Sequence, residues 1–335
     1  MGTKIIDLAK KLNISITTVS RALDGYSDVS IETRERVKKA AIEIGYVPNQ
    51  AARQLRTKRT DTIGFILPAE AKRIDEPFFI DLLAGLGDGL SERNFDLLVA
   101  NAKSADQEAA IYARWIQSKK VDGFILNRIT KDDWRIKRLN EENIPYATLG
   151  KPEIDPQNPF VWVDGSVQYK EVVGKLLEKG FSKIGFIGGP QEVLNQRDRL
   201  AWLYNALQTH QLPINDHWFS NTDMTSAGGY LSAQNILNHK EPPDTLFCIN
   251  DEVAFGVLHA AHEIGINIGK DLAVIGFDGV KDSLHTTPAL STLDIPLYEI
   301  GQNLVQLLLN QLAGKAIESN MVVQPKIRYR ASTGD

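Results

Sequence analysis

From Thr62 onward the chain repeats one pattern: a short apolar run, a longer amphipathic stretch, then another apolar run. "TIGFIL", "FDLLVA", "VDGFIL" and "IPYATLG" form the first set, with helical periodicity over 78–92, 106–118 and 132–142. Strands joined through helices pair in parallel, because each crossover returns the chain to the same end of the sheet. After "NPFVWVDG" the pattern restarts, with helices expected over 167–178, 198–209, 227–237 and 252–263 and strands "KIGFIGG", "TLFCI" and "LAVIGFD" between them. The fold class is therefore α/β, with two Rossmann-like lobes and a cleft between them. "STLDIP" and "VVQPKIRYR" are expected to return across the hinge, so neither lobe is one continuous segment. A length of 335 residues with 43% hydrophobic content supports several separate cores.

The first sixty residues differ from this body. They carry 12 Lys and Arg against 6 Asp and Glu, although the whole chain has a formal charge of −4. A basic segment on an acidic body points to a module for an anionic partner. Ile5, Ile6, Leu8, Ala9 and Leu12 recur at helical spacing and give one short helix. Asn13 ends it, Ser15 caps a second helix over 16–23 with Val19, Ala22 and Leu23 inward, and Ser30 caps a third over 31–44 that closes at Gly45. This is a helix-turn-helix. In that motif the N-terminal half of the second helix enters the DNA major groove, which makes Ile16, Thr17, Thr18, Ser20 and Arg21 the candidate contacts. Hydroxyls meet bases or phosphates, and an arginine forks onto guanine or a phosphate. Arg34, Arg36, Lys38 and Lys39 add a basic face on the third helix. Pro48 stops that helix, and Asn49 can cap a two-turn helix over 50–56, too short to hold alone in water.

The run "IIDLAKKLNISITTVSRAL" followed by "VSIETRERVKKAAIEIGYVPNQAARQLR" resembles the lactose-repressor (LacI-type) family of bacterial regulators. The match is dense: T-V-S-R-x-L, then V-S-x-x-T-R-x-x-V, then G-Y-x-P-N-x-x-A-x-x-L. "KIGFIGGP", "CIND" and "DLAVIGFDG" extend it along the body. The resemblance implies a helix-turn-helix domain over 1–48, a hinge helix and linker over 49–60, and a periplasmic-binding-protein-like core over 61–335 that binds effector and dimerises. It also implies that Asn49 opens a hinge helix in which Leu55, flanked by Ala52, wedges into the minor groove.

Ligands of open α/β folds sit at the carboxyl ends of strands. Asn127 and Arg128 follow "FIL", Asn250 and Asp251 follow "FCI", and Phe277 and Asp278 follow "VIG". The resemblance places a clamp arginine at Arg199 and favours Arg199, Asn250 and Asp278. Phe79 and Trp162 are candidates to cover an apolar sugar face, and Asp251 reads more plainly as the cap of the helix after it. Carboxylate, amide and guanidinium together suit vicinal hydroxyls, which donate and accept. Three positions depart from the family: Trp202 replaces a small residue, Gly150 stands where some relatives carry a carboxylate, and Gln168 replaces a glycine.

The expected function is a DNA-binding transcriptional repressor controlled by a small-molecule effector, a sugar or sugar derivative, and working as a homodimer on double-stranded operator DNA. The alternative is a sugar-binding protein of the same fold without operator-binding activity. No enzyme is expected, because "IGGP" and "GLGDGL" lack nucleotide-loop spacing and no G-x-S-x-G or H-E-x-x-H stands in the chain. No cofactor and no metal site are expected, and Cys248, the only cysteine, reads as a buried inert thiol. Without a signal-like or membrane-length apolar run, a cytoplasmic location is expected. No heptad-bearing tail follows "PKIRYRASTGD", so a dimer is expected rather than a coiled-coil tetramer.

Overall fold

The computed structural model describes residues 4–46, 54, 59–67, 77–315 and 320–335. Two compact units emerge, Met1–Thr60 and Asp61–Asp335.

The first unit holds α1 (Ile5–Leu12), α2 (Ile16–Leu23) and α3 (Ile31–Glu43). Asn13 closes α1 in the left-handed region at φ 52°, which an asparagine tolerates better than most residues. The Ser15 hydroxyl accepts from the Thr18 amide at 3.0 Å and that of Ser30 from Thr33 at 3.2 Å, so each helix start satisfies one of its otherwise unpaired amides. Leu8, Ala9, Val19, Ala22, Val29, Val37, Ala40 and Ala41 form the core. Leu23 only packs against its edge.

The second unit begins with β1 (Thr62–Leu67), α4 (Pro77–Ser91), β2 (Asp96–Asn101), α5 (Ala105–Gln117), β3 (Gly123–Leu126), α6 (Trp134–Glu141), β4 (Tyr146–Leu149) and β5 (Phe160–Val163). It continues with α7 (Ser166–Glu178), β6 (Ile184–Gly188), α8 (Leu194–Thr209), β7 (Phe219–Asn221), α9 (Ser226–Leu237), β8 (Thr245–Cys248), α10 (Asp251–Glu263) and β9 (Ala273–Asp278). Last come β10 (Ser291–Asp294), α11 (Leu297–Leu312), β11 (Met321–Val323) and β12 (Lys326–Arg328). One sheet runs β11-β5-β4-β3-β1-β2 and is parallel throughout. The other runs β12-β10-β9-β8-β6-β7, with β12 alone antiparallel to its neighbour. The chain passes between lobes after β5, β10 and β11, as the sequence leads one to expect.

Strand periodicity sorts the core. Ile63, Phe65 and Leu67 face α4 and α11, while Ile66 on the opposite pleat joins Tyr112, Trp115 and Phe124. The "GLGDGL" segment finds its reason here. A side-chain carbon on Gly85 would lie 2.0 Å from the Tyr298 carbonyl oxygen, and one on Gly301 would lie 2.7 Å from that of Leu82. These glycines let α4 and α11 approach backbone to backbone. Cys248 is buried, which pushes its thiol pKa well up, as befits an inert core residue.

Candidate functional site

On α2, Ile16 and Thr17 are exposed, while Thr18 and Ser20 are half-buried. The hydroxyls of Thr18 and Ser15 lie 2.8 Å apart, and Ser20 donates to Asp24 at 3.4 Å. Arg21 holds Asp28 with both sides of its fork, Nη2 at 2.5 Å and Nε at 3.2 Å, and stacks over Tyr26 at 4.9 Å. Nothing in helical periodicity marks Asp28 or Tyr26, which lie in the loop that follows the helix. Asn49, Ala52 and Leu55 lie outside the described residues.

In the second unit each sheet reverses its strand order once, between β1 and β3 and between β6 and β8. Such switch points open crevices at the carboxyl ends of strands. A cleft of about 640 Å³, counted to its open mouth, lies there. The ends of β3 and β4 bring Asn127, Arg128 and Leu149 to it, those of β8 and β9 bring Ile249, Asn250, Asp278 and Val280, and α8 brings Asn195, Gln196 and Arg199. Phe78, Val193, Met224 and Glu252 complete the wall. A concave wall on which polar groups converge between apolar patches suits a small molecule.

Five of the expected residues, Asn127, Arg128, Arg199, Asn250 and Asp278, therefore meet in one place. Arg199 Nη2 stands 3.5 Å from Asp278 Oδ1, its Nη1 donates to the Ile249 carbonyl, and its guanidinium lies 3.6 Å above the Phe277 ring. Asn127 is 2% exposed, yet neither atom of its amide has a hydrogen-bond partner among the described residues. A buried amide left unpaired costs about 1–3 kcal/mol.

Three readings need correction. Phe79 is fully buried and sits edge-on to Phe65 and Phe78, at 6.4 and 5.3 Å, on the same helix face as Leu82 and Leu86. One residue earlier on α4, it is Phe78 that reaches the cleft. Trp162 is not on the wall of this cleft. Its Nε1 donates to Asp198 at 2.9 Å in a neighbouring depression beside Lys151 and Arg197. Asp251 is not the helix cap. Asn250 caps α10 by accepting from the Val253 amide at 2.9 Å and donates to the Met224 carbonyl at 3.2 Å. Asp251, buried, accepts from the Gly279 and Val280 amides at 2.9 and 2.8 Å and from Thr292 at 2.6 Å. It thus holds the turn in which Asp278 adopts φ 109°, a backbone state costly for a side-chain-bearing residue. Burial, and then the nearby Asp278 charge, push the Asp251 carboxyl well above its ordinary pKa.

Two of the departures, Gly150 and Trp202, also find physical reasons. Gly150 has φ 113°, and a side-chain carbon there would stand 3.0 Å from Asn195 Oδ1, so the amide occupies the space a carboxylate would need. Trp202 is buried edge-on to Tyr169 at 5.7 Å, its ring filling the space next to Gly165. Among the described residues no group of three or more His, Cys, Asp or Glu side chains is placed to hold a metal, and no helix is long and apolar enough to cross a membrane.

Residues 4–49 match the family described as bacterial regulatory proteins, lacI family, and residues 173–333 match a periplasmic binding protein-like domain. The transcriptional regulator AglR of Rhizobium meliloti is 32% identical, over 100% of this chain and 95% of its own length. The structure of the regulator CelR in complex with cellobiose superposes with a TM-score of 0.76 at 27% identity, covering 98% of this chain and 99% of CelR. That of the lac repressor dimer, bound to operator and an anti-inducer, gives 0.82 at 25% identity, covering 99% of both chains.

Proposed function

The chain belongs to the lacI family of bacterial regulatory proteins, and on that premise we propose that it represses transcription as a homodimer, binding double-stranded operator DNA through α2 and a carbohydrate effector in the cleft. The observation that carries the effector half is the convergence of the Arg199–Asp278 pair with the unpartnered amide of Asn127. A sugar hydroxyl donates to a carboxylate and accepts from a guanidinium or amide, so adjacent hydroxyls can answer all three groups at once. Phe78, Leu149 and Ile249 supply apolar surface for the ring carbons. The cellobiose bound by CelR and the operator bound by the lac repressor support the two halves of this reading. The residues assigned to DNA, Ile16, Thr17, Thr18, Ser20 and Arg21 on α2 with Asn49, Ala52 and Leu55 beyond it, belong to the same proposal.

The test couples the two sites. An operator is first selected from random duplexes, and saccharides are screened by thermal shift. The chosen sugar is then titrated into the operator complex, followed by fluorescence anisotropy. Asp278→Ala is expected to bind operator like the parent but to respond only at far higher sugar concentration. Equal midpoints would remove Asp278 from the ligand site. A parent that binds sugar but no duplex, at any salt concentration, would favour the alternative of a sugar-binding protein without operator activity.

A further inference from the structure

Behind the first-lobe wall of the cleft lies a charge cluster that contributes nothing to the cleft lining. Arg135, Asp133 and Glu108 are 4, 1 and 5% exposed. Arg135 Nε and Nη2 hold the two Asp133 oxygens at 2.9 and 2.6 Å, and Nη1 reaches Glu108 at 3.4 Å. Nη2 also donates to the carbonyl oxygens of Asn127 and Arg128, at 3.1 and 3.2 Å. Stability alone is a poor reason for such an arrangement, since a buried ion triad can often be replaced by apolar side chains at no loss.

What the cluster grips supplies a better reason. Asn127 and Arg128 both line the cleft, and Arg128 is held at φ 47°, in the left-handed region. Asp133 accepts in turn from the Thr130 amide at 3.1 Å and from the Arg135 amide at 3.0 Å, which caps α6. The chain between these anchors reaches across to the other lobe. Thr130 forms an antiparallel bridge with Val193, the Lys131 amide donates to the Glu192 carbonyl at 3.1 Å, and the Leu194 amide donates to that of Ile129 at 2.9 Å. Leu194 starts α8, the helix that carries Asn195, Gln196 and Arg199.

We propose that Arg135 is a positioning residue for the effector site. Through Asp133 and the carbonyls of Asn127 and Arg128 it fixes the 127–133 segment, which presents the Asn127 amide to the ligand and clasps the ligand helix of the opposite lobe. The proposal rests on reading the cleft as an effector site. Arg135 touches no ligand. Its guanidinium reaches two carboxylates and two carbonyls at once, which the single ammonium of a lysine cannot do.

The experiment uses the full chain in two arms. In the first, hydrogen exchange is followed at the amides of Thr130, Lys131 and Leu194 without ligand. In the second, cellobiose, maltose and glucose are titrated calorimetrically. Arg135→Lys is expected to speed exchange at those three amides about tenfold, leave the amides of β9 at parent rates, and weaken the best-bound sugar about tenfold. Operator affinity without sugar should stay at the parent value. Arg138→Lys, on the same helix but in an exposed pair with Glu142, serves as the control and should match the parent in both arms. If Arg135→Lys fails to fold, Asp133→Asn, which keeps volume and helix cap, carries both arms with the same expectation. Parent exchange and parent affinity in the variant overturn the proposal, as does a uniform rise in exchange across the lobe. If the parent binds none of the three sugars, the carbohydrate reading loses its support, and the exchange arm alone decides for or against the clasp.

Discussion

Replacing Asn127 by leucine should separate the stability of the ligand-free core from its capacity to bind. The side chain is 2% exposed, and both amide atoms lack partners among the described residues. Folding strips this group of water without returning a hydrogen bond from any described residue, a cost of about 1–3 kcal/mol. Leucine has a similar reach and no polar atom. Allowing for imperfect packing of its branched end, Asn127→Leu should stabilise the free core by about 1 kcal/mol, or about 2 °C in Tm for a unit of this size. Binding should move the other way. Hydrogen bonds from the amide to sugar hydroxyls disappear, and the hydroxyls lose water on entry, which is again worth about 1–3 kcal/mol, or about 5- to 150-fold in Kd. Scanning calorimetry of the free protein and isothermal titration with the best-bound saccharide measure the two effects separately. A variant that melts several degrees lower and binds with undiminished affinity would refute the reasoning, because the amide would then be satisfied within the fold and idle toward the ligand.

Arg21→Ala should weaken operator binding about tenfold or more and reduce its salt dependence, yet leave Tm nearly unchanged, because the Arg21–Asp28 pair is 44% and 53% exposed and worth under about 1 kcal/mol. Asp28→Asn should do the reverse, tightening operator binding about two- to fivefold in an anisotropy assay by freeing the guanidinium and removing a negative charge. Gly85→Ala should cost about 3 kcal/mol or more in urea unfolding, since its methyl group meets the Tyr298 carbonyl, whereas Gly87→Ala, with open space around it, should gain up to about 1 kcal/mol. Asp133 gives a pH dependence: burial pushes its carboxyl up, but hydrogen bonds and charge from Arg135 outweigh it and hold the pKa below the usual aspartate range. A pKa lower in the folded state means stabilisation that is complete above the unfolded value and lost as pH falls through the folded one. Asp133→Asn should therefore flatten the fall in stability below about pH 4, and an unchanged acid limb would contradict this.

Strand ends were the most legible part of the site. A parallel strand delivers the residue after its last apolar position to a crevice, so Asn127, Arg128, Asn250 and Asp278 could be named from order alone, while Arg199 needed the family resemblance. The start of α8 was not legible. Val193 offers no side chain to cap the helix, so periodicity places the start at 198 rather than at Leu194. That missing turn holds Asn195 and Gln196. Phe78 and Phe79 differ by about 100° of helical phase, which a run without polar punctuation does not fix. In "IND" either polar residue can cap, and only the packing shows that Asn250 does so and leaves Asp251 for the turn beyond β9. Arg135 lies in "DDWRIKR", whose charge density reads as a solvated helix face. Its burial depends on Glu108, 27 residues earlier in the chain.

The passage of the chain back into the first lobe also governs the order in which the protein can be completed during synthesis. Leu304, Val305 and Leu308 of α11 fill the core that faces β1, β3 and α4, and β11 supplies the outer edge beside β5. A ribosome has therefore made the whole second lobe up to β10 before the first can close. Until residues 297–323 emerge, the nascent chain carries an open apolar face on α4 and an unpaired edge on β5, while the later-made lobe already has most of its sheet. The half made first thus waits for α11 and β11, the later-made half closes last of all when β12 pairs with β10, and a chain that stops before α11 exposes an apolar face and an open strand edge, both of which invite aggregation.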